Sequence, residues 1–460
     1  MGARSWHRTF PGQGLMTWIA PVTLFLLYLN VPAVAVRIHG APFVLAALVP
    51  MMLALPVAHR VLLRGEPLRF PTMLLAAFAM SCLQLLSALH SARPNESLPS
   101  LQTWLIEGVL LALLVANAVR TRFELRWAVI AIVTAGAIMG ALVLLQQILG
   151  PADHAFLGFA QLDSAIADAE GQIQRRLAGP IGETNRFAQI MAVLIPIAAC
   201  SAATTRGRTR LAWWGATALI VAGMTLAFSR GAIVALAIAL PFALIFGMLR
   251  PRQLAVTVVL AFSILLAMPH YAERVASIGR VAAQGLGLGP VGLRNADGAS
   301  RGRLTEMKAA SMLFMDHPIL GAGPGLAPHY YRQYAGIVGG KVRPEDRRAH
   351  NLFLQLAAET GLVGLGSFLL VVALAFRGLE RARKRLRRSD RELWGLVCGL
   401  ELGLIISLAT SLFLHAAYIR YFWLLLGLAA TAAAQQKPPV LVTLLERMFR
   451  QTAARIRADA

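Results

Sequence analysis

Apolar runs of about twenty residues recur along the whole chain, and they constrain its fold more than any other feature of the sequence. An α-helix needs roughly 20 apolar residues to cross the hydrocarbon core of a bilayer. Charged residues make up only 14% of the 460 residues, whereas soluble domains contain roughly 25%. The sequence therefore predicts one bundle of membrane helices rather than several soluble domains.

The predicted fold class is an all-α polytopic membrane protein with about 12 transmembrane helices and a large, partly helical external loop. The candidate spans lie near 16–36, 41–58, 70–89, 102–118, 127–149, 187–202, 211–229, 231–249, 253–269, 358–376, 393–414 and 420–434.

The basic residues between the runs predict the orientation. With both termini in the cytoplasm, cytoplasmic segments hold 26 of the 44 Lys and Arg residues, as the positive-inside rule requires. Membrane topology thus accounts for the net charge of +22, and no nucleic-acid partner is predicted. The predicted domains are 1–269 with nine helices and a small external loop at 150–185, the large loop 270–350, three helices in 351–434, and an amphipathic cytoplasmic tail at 435–460.

His350 stands where the large loop becomes a membrane helix. A histidine titrates near neutral pH and can accept a proton from a hydroxyl, so His350 is a candidate general base. The alternative is an ordinary interfacial helix cap. On a continuous helix Glu359 would lie about half a turn round from His350, which favours a structural or arginine-pairing role for Glu359. Ahead of them, apolar residues at helical spacing predict a loop helix with an apolar side, ended by Pro318; they are Leu304, Met307, Met312, Leu313 and Met315.

Four arginines lie at predicted outer ends of spans or in the large loop, namely Arg186, Arg230, Arg301 and Arg303. Ionisable groups near the membrane usually have a partner or a function. Guanidinium groups pair bidentately with phosphate oxygens, so the set predicts a site for a lipid-linked phosphate or pyrophosphate. The alternative is that each arginine merely extends to the polar surface.

Other patterns predict neither metal nor cofactor. The glycine string at 321–325 follows no strand and lacks the G-x-G-x-x-G spacing, so it indicates a turn with close backbone approach rather than a nucleotide site. The remaining histidines have no partners at metal-ligand spacing.

Several motifs together resemble the O-antigen ligase and polymerase family. The resemblance covers about 182–366, although Met307 stands where the family often has tryptophan and Glu183-Thr184-Asn185 replaces its commoner polar element. The motifs are Gly182-Glu-Thr-Asn185-Arg186, Ser229-Arg230-Gly231-Ala232, Arg303, Pro318-Ile-Leu-Gly321-x-Gly323, His350-Asn351-x-x-Leu354 and Glu359-x-Gly361-x-x-Gly364.

The resemblance implies an enzyme of the bacterial inner membrane whose active site faces the periplasm. Its scaffold would be similar to GT-C glycosyltransferases, and its chemistry metal-independent and inverting. The donor would be a glycan on undecaprenyl pyrophosphate, the acceptor lipid A-core, and membrane lipids the remaining partners. His350 would be the base; Arg230 and Arg303, and less strongly Arg301 and Arg186, would hold the pyrophosphate; Asn351, Glu359 and Asn185 would support them.

Other functions stay open at this point. An O-antigen polymerase would use the same chemistry with another glycan chain as acceptor. Protein O-oligosaccharyltransferases share the motifs but usually carry a sizeable soluble C-terminal domain. A transporter predicts polar residues spread through the spans, and a scaffold for glycan-assembly partners predicts that His350 and Arg303 tolerate substitution.

Overall fold

The computed structural model describes residues 14–150, 154–163, 166–167, 173–174, 176–255, 298–338, 347–414 and 420–435. The helices, numbered in chain order, are α1 Met16–Tyr28, α2 Val31–His39, α3 Val44–Met51, α4 Ala54–Ala58, α5 Thr72–His90, α6 Pro94–Trp104, α7 Leu111–Ala118, α8 Arg122–Leu149, α9 Thr184–Thr204, α10 Gly207–Leu226, α11 Arg230–Ile245, α12 Gly298–Asp316, α13 Ala327–Ile337, α14 Leu352–Ser389, α15 Arg391–Thr410 and α16 Arg420–Ala434. Short π-helical segments, His59–Leu63 and Leu105–Leu110, extend α4 and join α6 to α7.

The described residues confirm a multi-pass helical membrane fold. They contain seven helices that are long and apolar enough to cross a bilayer, and an eighth if α1 and α2, which are bent by 47° at a break, form one span. The seven are Val44–Leu63, Thr72–His90, Pro94–Ala118, Arg122–Leu149, Thr184–Thr204, Leu352–Ser389 and Arg391–Thr410.

These helices coincide with predicted spans, and the bent pair coincides with 16–36. Three further predicted spans fall on helices that are not both long and apolar enough to cross a bilayer alone. Helices α11 and α16 are shorter, and α10 begins with two arginines. Most of the predicted span 253–269, much of the large loop and nearly all of the tail 435–460 lie outside the described residues. The total of twelve spans stays a prediction.

Two helices form the centre of the bundle. In α9 and in α15, 83% of the most apolar 18-residue stretch is buried inside the protein, against 22% in Val44–Leu63. Small residues allow this close approach, because a Cβ at Gly399 would lie 2.7 Å from the Ile197 Cα. The surrounding helices turn large apolar side chains outward, as expected for a surface that faces lipid.

The segment before α9 contains β-structure that the sequence did not predict. Strand β1 (Gln161–Leu162) pairs antiparallel with β4 (Leu177–Gly179), and β2 (Ile166–Ala167) pairs with β3 (Ile173–Gln174). Asp163 then fixes the start of α9, since its carboxylate accepts hydrogen bonds from the Thr184 amide at 3.0 Å and hydroxyl at 2.7 Å. The hairpin therefore positions the first turn of α9.

The loop helix α12 forms and ends before Pro318, as predicted, but its buried side differs from the predicted one. Leu313 is buried, whereas Leu304 and Met315 are 43% and 75% exposed. The side that packs against α14 and α13 is made of Glu306, Ala309, Ala310 and Leu313. The two alanines let the helix lie close to its neighbours.

Helix α14 is interrupted at Gly361, which has φ 65° and ψ −167°. The segment 318–323 lies in the break, so that its backbone replaces the missing turn. The four hydrogen bonds run from Ala322 N to Ala358 O (2.9 Å), Gly323 N to Glu359 O (2.9 Å), Leu362 N to Pro318 O (2.9 Å) and Val363 N to Ile319 O (3.3 Å). A Cβ at Gly321 would lie 2.3 Å from the Glu359 carbonyl carbon. The prediction of a glycine turn with close backbone approach is confirmed.

Candidate active site

The site lies at the N-terminal end of α14, where the large loop joins the membrane bundle. The Asn351 side chain caps the helix by accepting a hydrogen bond from the Leu354 amide at 3.0 Å. The Leu352 amide donates to the Ser411 carbonyl at 2.8 Å, which ties this end to the end of α15. Asn351 is therefore the cap, and His350 precedes the helix without being needed to begin it.

His350 is held on one side of its ring by two acceptors. Its Nδ1 lies 2.8 Å from Oε2 of Glu306 and 3.1 Å from the carbonyl oxygen of Arg348. In the tautomer that donates from Nδ1 to the Arg348 carbonyl, the neutral ring has Nε2 as its proton acceptor. The backbone of His350 has φ 22°, a strained conformation of the kind that concentrates at functional sites and costs about 1–3 kcal/mol.

Glu306 is buried beneath this histidine in α12. Its side chain is 3% exposed, and its other oxygen lies 3.9 Å from Nη1 of Arg347. Arg303 lies one helical turn before Glu306, on the same side of α12, and is half-buried. A buried carboxylate needs a cationic partner or hydrogen-bond donors; Arg347 supplies the positive charge, and the His350 ring lies against the other oxygen.

The hydrophobic base of this loop is stabilised by a tyrosine. The Tyr334 hydroxyl donates a 2.5 Å hydrogen bond to Oδ2 of Asp316, at the end of α12. Burial raises the pKa of Tyr334 to about 12, and the bond to Asp316 adds to the effect. The tyrosine joins α13 to α12 and so supports the helix that carries Glu306.

Arg186 lies in the first turn of α9, within electrostatic range of the same region. Its Nε is 3.0 Å from Oε2 of Glu183, and its side chain is 30% exposed. Arg186 also interacts electrostatically with Arg348 and with Arg37 of α2. Arg348, two residues before His350 in the sequence, and Arg37 thus each lie within electrostatic range of Arg186.

The residue before Arg186 faces another part of the site. Asn185 Oδ1 accepts hydrogen bonds from Nη2 of Arg176 at 3.2 Å and from the Ser229 hydroxyl at 3.3 Å. Arg176 is buried and also donates to the Ala227 carbonyl at 3.1 Å. These bonds hold the turn between α10 and α11, in which Arg230 is the first residue of α11 and is half-buried.

The two remaining predicted residues are Glu359 and Arg301. Glu359 is fully buried at the break in α14, where its Oε1 accepts a 2.9 Å hydrogen bond from Gln355; its role, structural or arginine-pairing, stays a prediction. Arg301 belongs to the start of α12, and only its backbone is described. Within the described residues, no three His, Cys, Asp or Glu side chains group as metal ligands.

Three charged residues of the site region were not predicted from the sequence. Glu306 was counted only as an acid of the loop, although its spacing of three from Arg303 on a predicted helix could have placed both on one side. Arg37 and Arg348 carried no distinguishing local pattern, because their proximity to Arg186 depends on the tertiary fold.

Comparison with known proteins finds a family match for one part of the chain. Residues 215–369 match the family model described as O-antigen ligase. The matched segment contains Arg230, Arg303, Glu306 and His350, whereas Asn185 and Arg186 precede it. No curated protein matches the chain.

Proposed function

We propose that this multi-pass membrane protein, whose segment 215–369 belongs to the O-antigen ligase and polymerase family, is an O-antigen ligase. It transfers a glycan from undecaprenyl pyrophosphate to lipid A-core. The site faces the periplasm in the bacterial inner membrane, with both termini in the cytoplasm. The orientation rests on the distribution of Lys and Arg.

The observation that carries the proposal is the position of His350. Its Nδ1 lies 2.8 Å from the buried Glu306 carboxylate and 3.1 Å from the Arg348 carbonyl, which supports a ring that donates from Nδ1 and accepts a proton at Nε2. A histidine oriented by a carboxylate is a recurring general base for hydroxyl groups. Its place at the end of a membrane helix suits two substrates that are both anchored in the membrane.

The reaction follows from this assignment. Nε2 of His350 takes the proton of an acceptor sugar hydroxyl as that oxygen attacks the anomeric carbon of the donor glycan. The new carbon–oxygen bond forms while the bond from the anomeric carbon to the pyrophosphate oxygen breaks. Undecaprenyl pyrophosphate leaves with the bonding electrons. A single displacement of this kind inverts the anomeric configuration.

The leaving pyrophosphate gains negative charge, which must be stabilised as it develops. Arg230 and Arg303 are proposed to bind it, with Arg186 and Arg301 assisting. Positive charge from several arginines would make the transfer independent of a metal ion. The electrostatic proximity of Arg186, Arg348 and Arg37 supports a strongly positive site.

The test is transfer with purified protein. Wild type, His350→Ala and His317→Ala would each be mixed with an undecaprenyl-pyrophosphate-linked glycan and lipid A-core. His317 is an exposed histidine of the same loop and serves as the matched control. We expect glycan-bearing lipid A-core from wild type and His317→Ala, and none from His350→Ala at equal protein level.

Other outcomes would change the proposal. Longer lipid-linked chains without modified lipid A-core would identify a polymerase. Full activity of His350→Ala would remove the base assignment. If wild type neither modifies lipid A-core nor lengthens the lipid-linked chains, glycosyl transfer is rejected and a transporter or a scaffold is favoured.

A further inference from the structure

A basic recess lies at the end of the bundle opposite His350. It is lined by Arg377 and Arg381 of α14, by the segment 69–73 ahead of α5, and by the end of α16. Arg381 lies 20 positions beyond the break at Gly361, which at about 1.5 Å each is roughly 30 Å along the unbroken part of α14. This length alone matches the hydrocarbon core of about 30 Å, so the recess lies at the other membrane surface.

The packing of α14 against α16 creates the recess. A Cβ at Gly378 would lie 2.9 Å from the Ala433 Cβ, so the two helices approach closely there. Ala430, Ala433 and Ala434 leave an apolar hollow instead of filling it. The same hollow is lined by Arg69, Arg377 and Arg381.

The third arginine of the recess is Arg69, and hydrogen bonds of its backbone fix its position. The Arg69 amide donates to Asn117 Oδ1 at 2.8 Å, and Asn117 Nδ2 donates to the Arg69 carbonyl at 3.0 Å. These two bonds fix the segment ahead of α5 against α7. Arg69 is therefore presented to the recess from a side different from that of Arg377 and Arg381.

Neighbouring arginines at this surface are neutralised within the protein. Arg120 pairs with Glu66 at 3.1 Å, and Arg383 pairs with Glu401 at 2.7 Å. Among the described residues, Arg69, Arg377 and Arg381 form no ion pair. The nearby Glu380 pairs with Lys384 at 2.6 Å.

We propose that this recess binds the phosphodiester headgroup of an anionic phospholipid, with the acyl chains along the apolar wall. Guanidinium groups bind phosphate oxygens bidentately. Basic pockets between transmembrane helices at the cytoplasmic side are typical sites for anionic headgroups. Isolated arginines that only extend to the polar surface would not need an apolar recess between them.

The experiment measures lipid binding to the full-length protein in detergent by native mass spectrometry. The probe is dioleoyl phosphatidylglycerol, with the zwitterionic dioleoyl phosphatidylcholine as the comparison lipid and inorganic phosphate as a competitor. The pocket variant carries Arg377→Gln and Arg381→Gln. The control carries Arg388→Gln and Arg391→Gln, which removes the same charge from exposed positions of the same surface.

We expect phosphatidylglycerol to bind wild type and control in preference to phosphatidylcholine. Its affinity for the pocket variant should fall about 30-fold, since each Arg near an anionic surface contributes a factor of roughly five. Inorganic phosphate should not displace the lipid.

Three results would overturn the proposal. The first is an equal loss of phosphatidylglycerol affinity in the pocket variant and the control variant. The second is equal binding of phosphatidylglycerol and phosphatidylcholine to wild type. The third is displacement of bound phosphatidylglycerol by inorganic phosphate. Thermal unfolding in the same detergent checks that the variants fold; if the double variant does not, Arg69→Gln tests the site from its other side.

Discussion

The Nδ1 atom of His350 lies 2.8 Å from Oε2 of Glu306, and the glutamate is almost completely buried in the preceding loop helix. The fold thus brings together two residues that are far apart in sequence. In the proposed reaction, Glu306 would orient the imidazole and stabilise the positive charge that forms when the ring accepts a proton.

Replacing Glu306 with Gln should lower kcat about 100-fold and change KM little, because the proposed transfer loses charge stabilisation mainly in the transition state. Glu306→Asp should recover part of the loss. The measurement is steady-state transfer kinetics, with Glu96→Gln as a control that removes an acid from a 45% exposed position. A purely structural role would instead lower the melting temperature and leave the kinetics of the folded fraction unchanged.

Replacing Arg230 with Ala should weaken binding of the pyrophosphate donor by more than replacing it with Lys. Lysine keeps the charge but lacks the planar fork that binds two phosphate oxygens. We expect roughly a 100-fold rise in KM for Ala and a smaller rise for Lys, measured with the lipid-linked donor. Equal effects of the two variants would show that only charge matters at this position.

Gly361→Ala should destabilise the protein strongly. Its φ is 65°, and a Cβ there would lie 2.0 Å from the Ile319 carbonyl oxygen, so the change combines backbone strain with a clash worth about 3 kcal/mol or more. Gly366→Ala is the matched control, since it lies in the same helix with nothing within 4 Å of the added Cβ. That variant should be neutral or up to about 1 kcal/mol more stable. Thermal unfolding in detergent measures both, and equal melting temperatures would contradict the packing described here.

Tyr334→Phe should destabilise the loop by about 1 kcal/mol, since it removes a hydrogen bond to a carboxylate. The pKa of Tyr334 is raised to about 12, so the folded state favours the neutral phenol. The stabilising contribution is therefore fully present below the ordinary tyrosine pKa of about 10 and is lost as pH rises through about 12. Between pH 6 and 9 the difference in melting temperature should be constant. Tyr330→Phe is the control, because the Tyr330 hydroxyl makes no hydrogen bond within the described part of the chain.

A chelator should leave the proposed glycan transfer unchanged, because arginines are assigned to stabilise the leaving pyrophosphate. The measurement is the rate of transfer before and after treatment with EDTA and removal of bound metal. Loss of activity that a divalent cation restores would refute this assignment and point to a metal-dependent leaving-group step.

The sequence predicted the membrane helices well because each span is a local property of about twenty residues. It also placed His350 and Arg230 at helix ends, since Asn351 and Ser229 sit next to the apolar runs that follow. It could not pair His350 with Glu306, because that contact depends on how α12 folds back onto the start of α14.

The apolar side of α12 was misread for a related reason. Leu304 and Met315 follow the helical period, but the helix packs through Ala309 and Ala310. A hydrophobic pattern gives the period of a helix and does not reveal which side has room for a neighbour. The β-hairpin before α9 was missed because its strands are only two or three residues long.

The insertion of 318–323 into the break of α14 limits how the site can open. Four backbone groups of the helix find their hydrogen-bond partners in this segment. Lifting it away would leave these groups unsatisfied in the protein interior, at roughly 1–3 kcal/mol each. The segment 318–323 is thus a fixed part of the bundle and not a movable flap. Any motion that admits the proposed substrates must leave this segment in place.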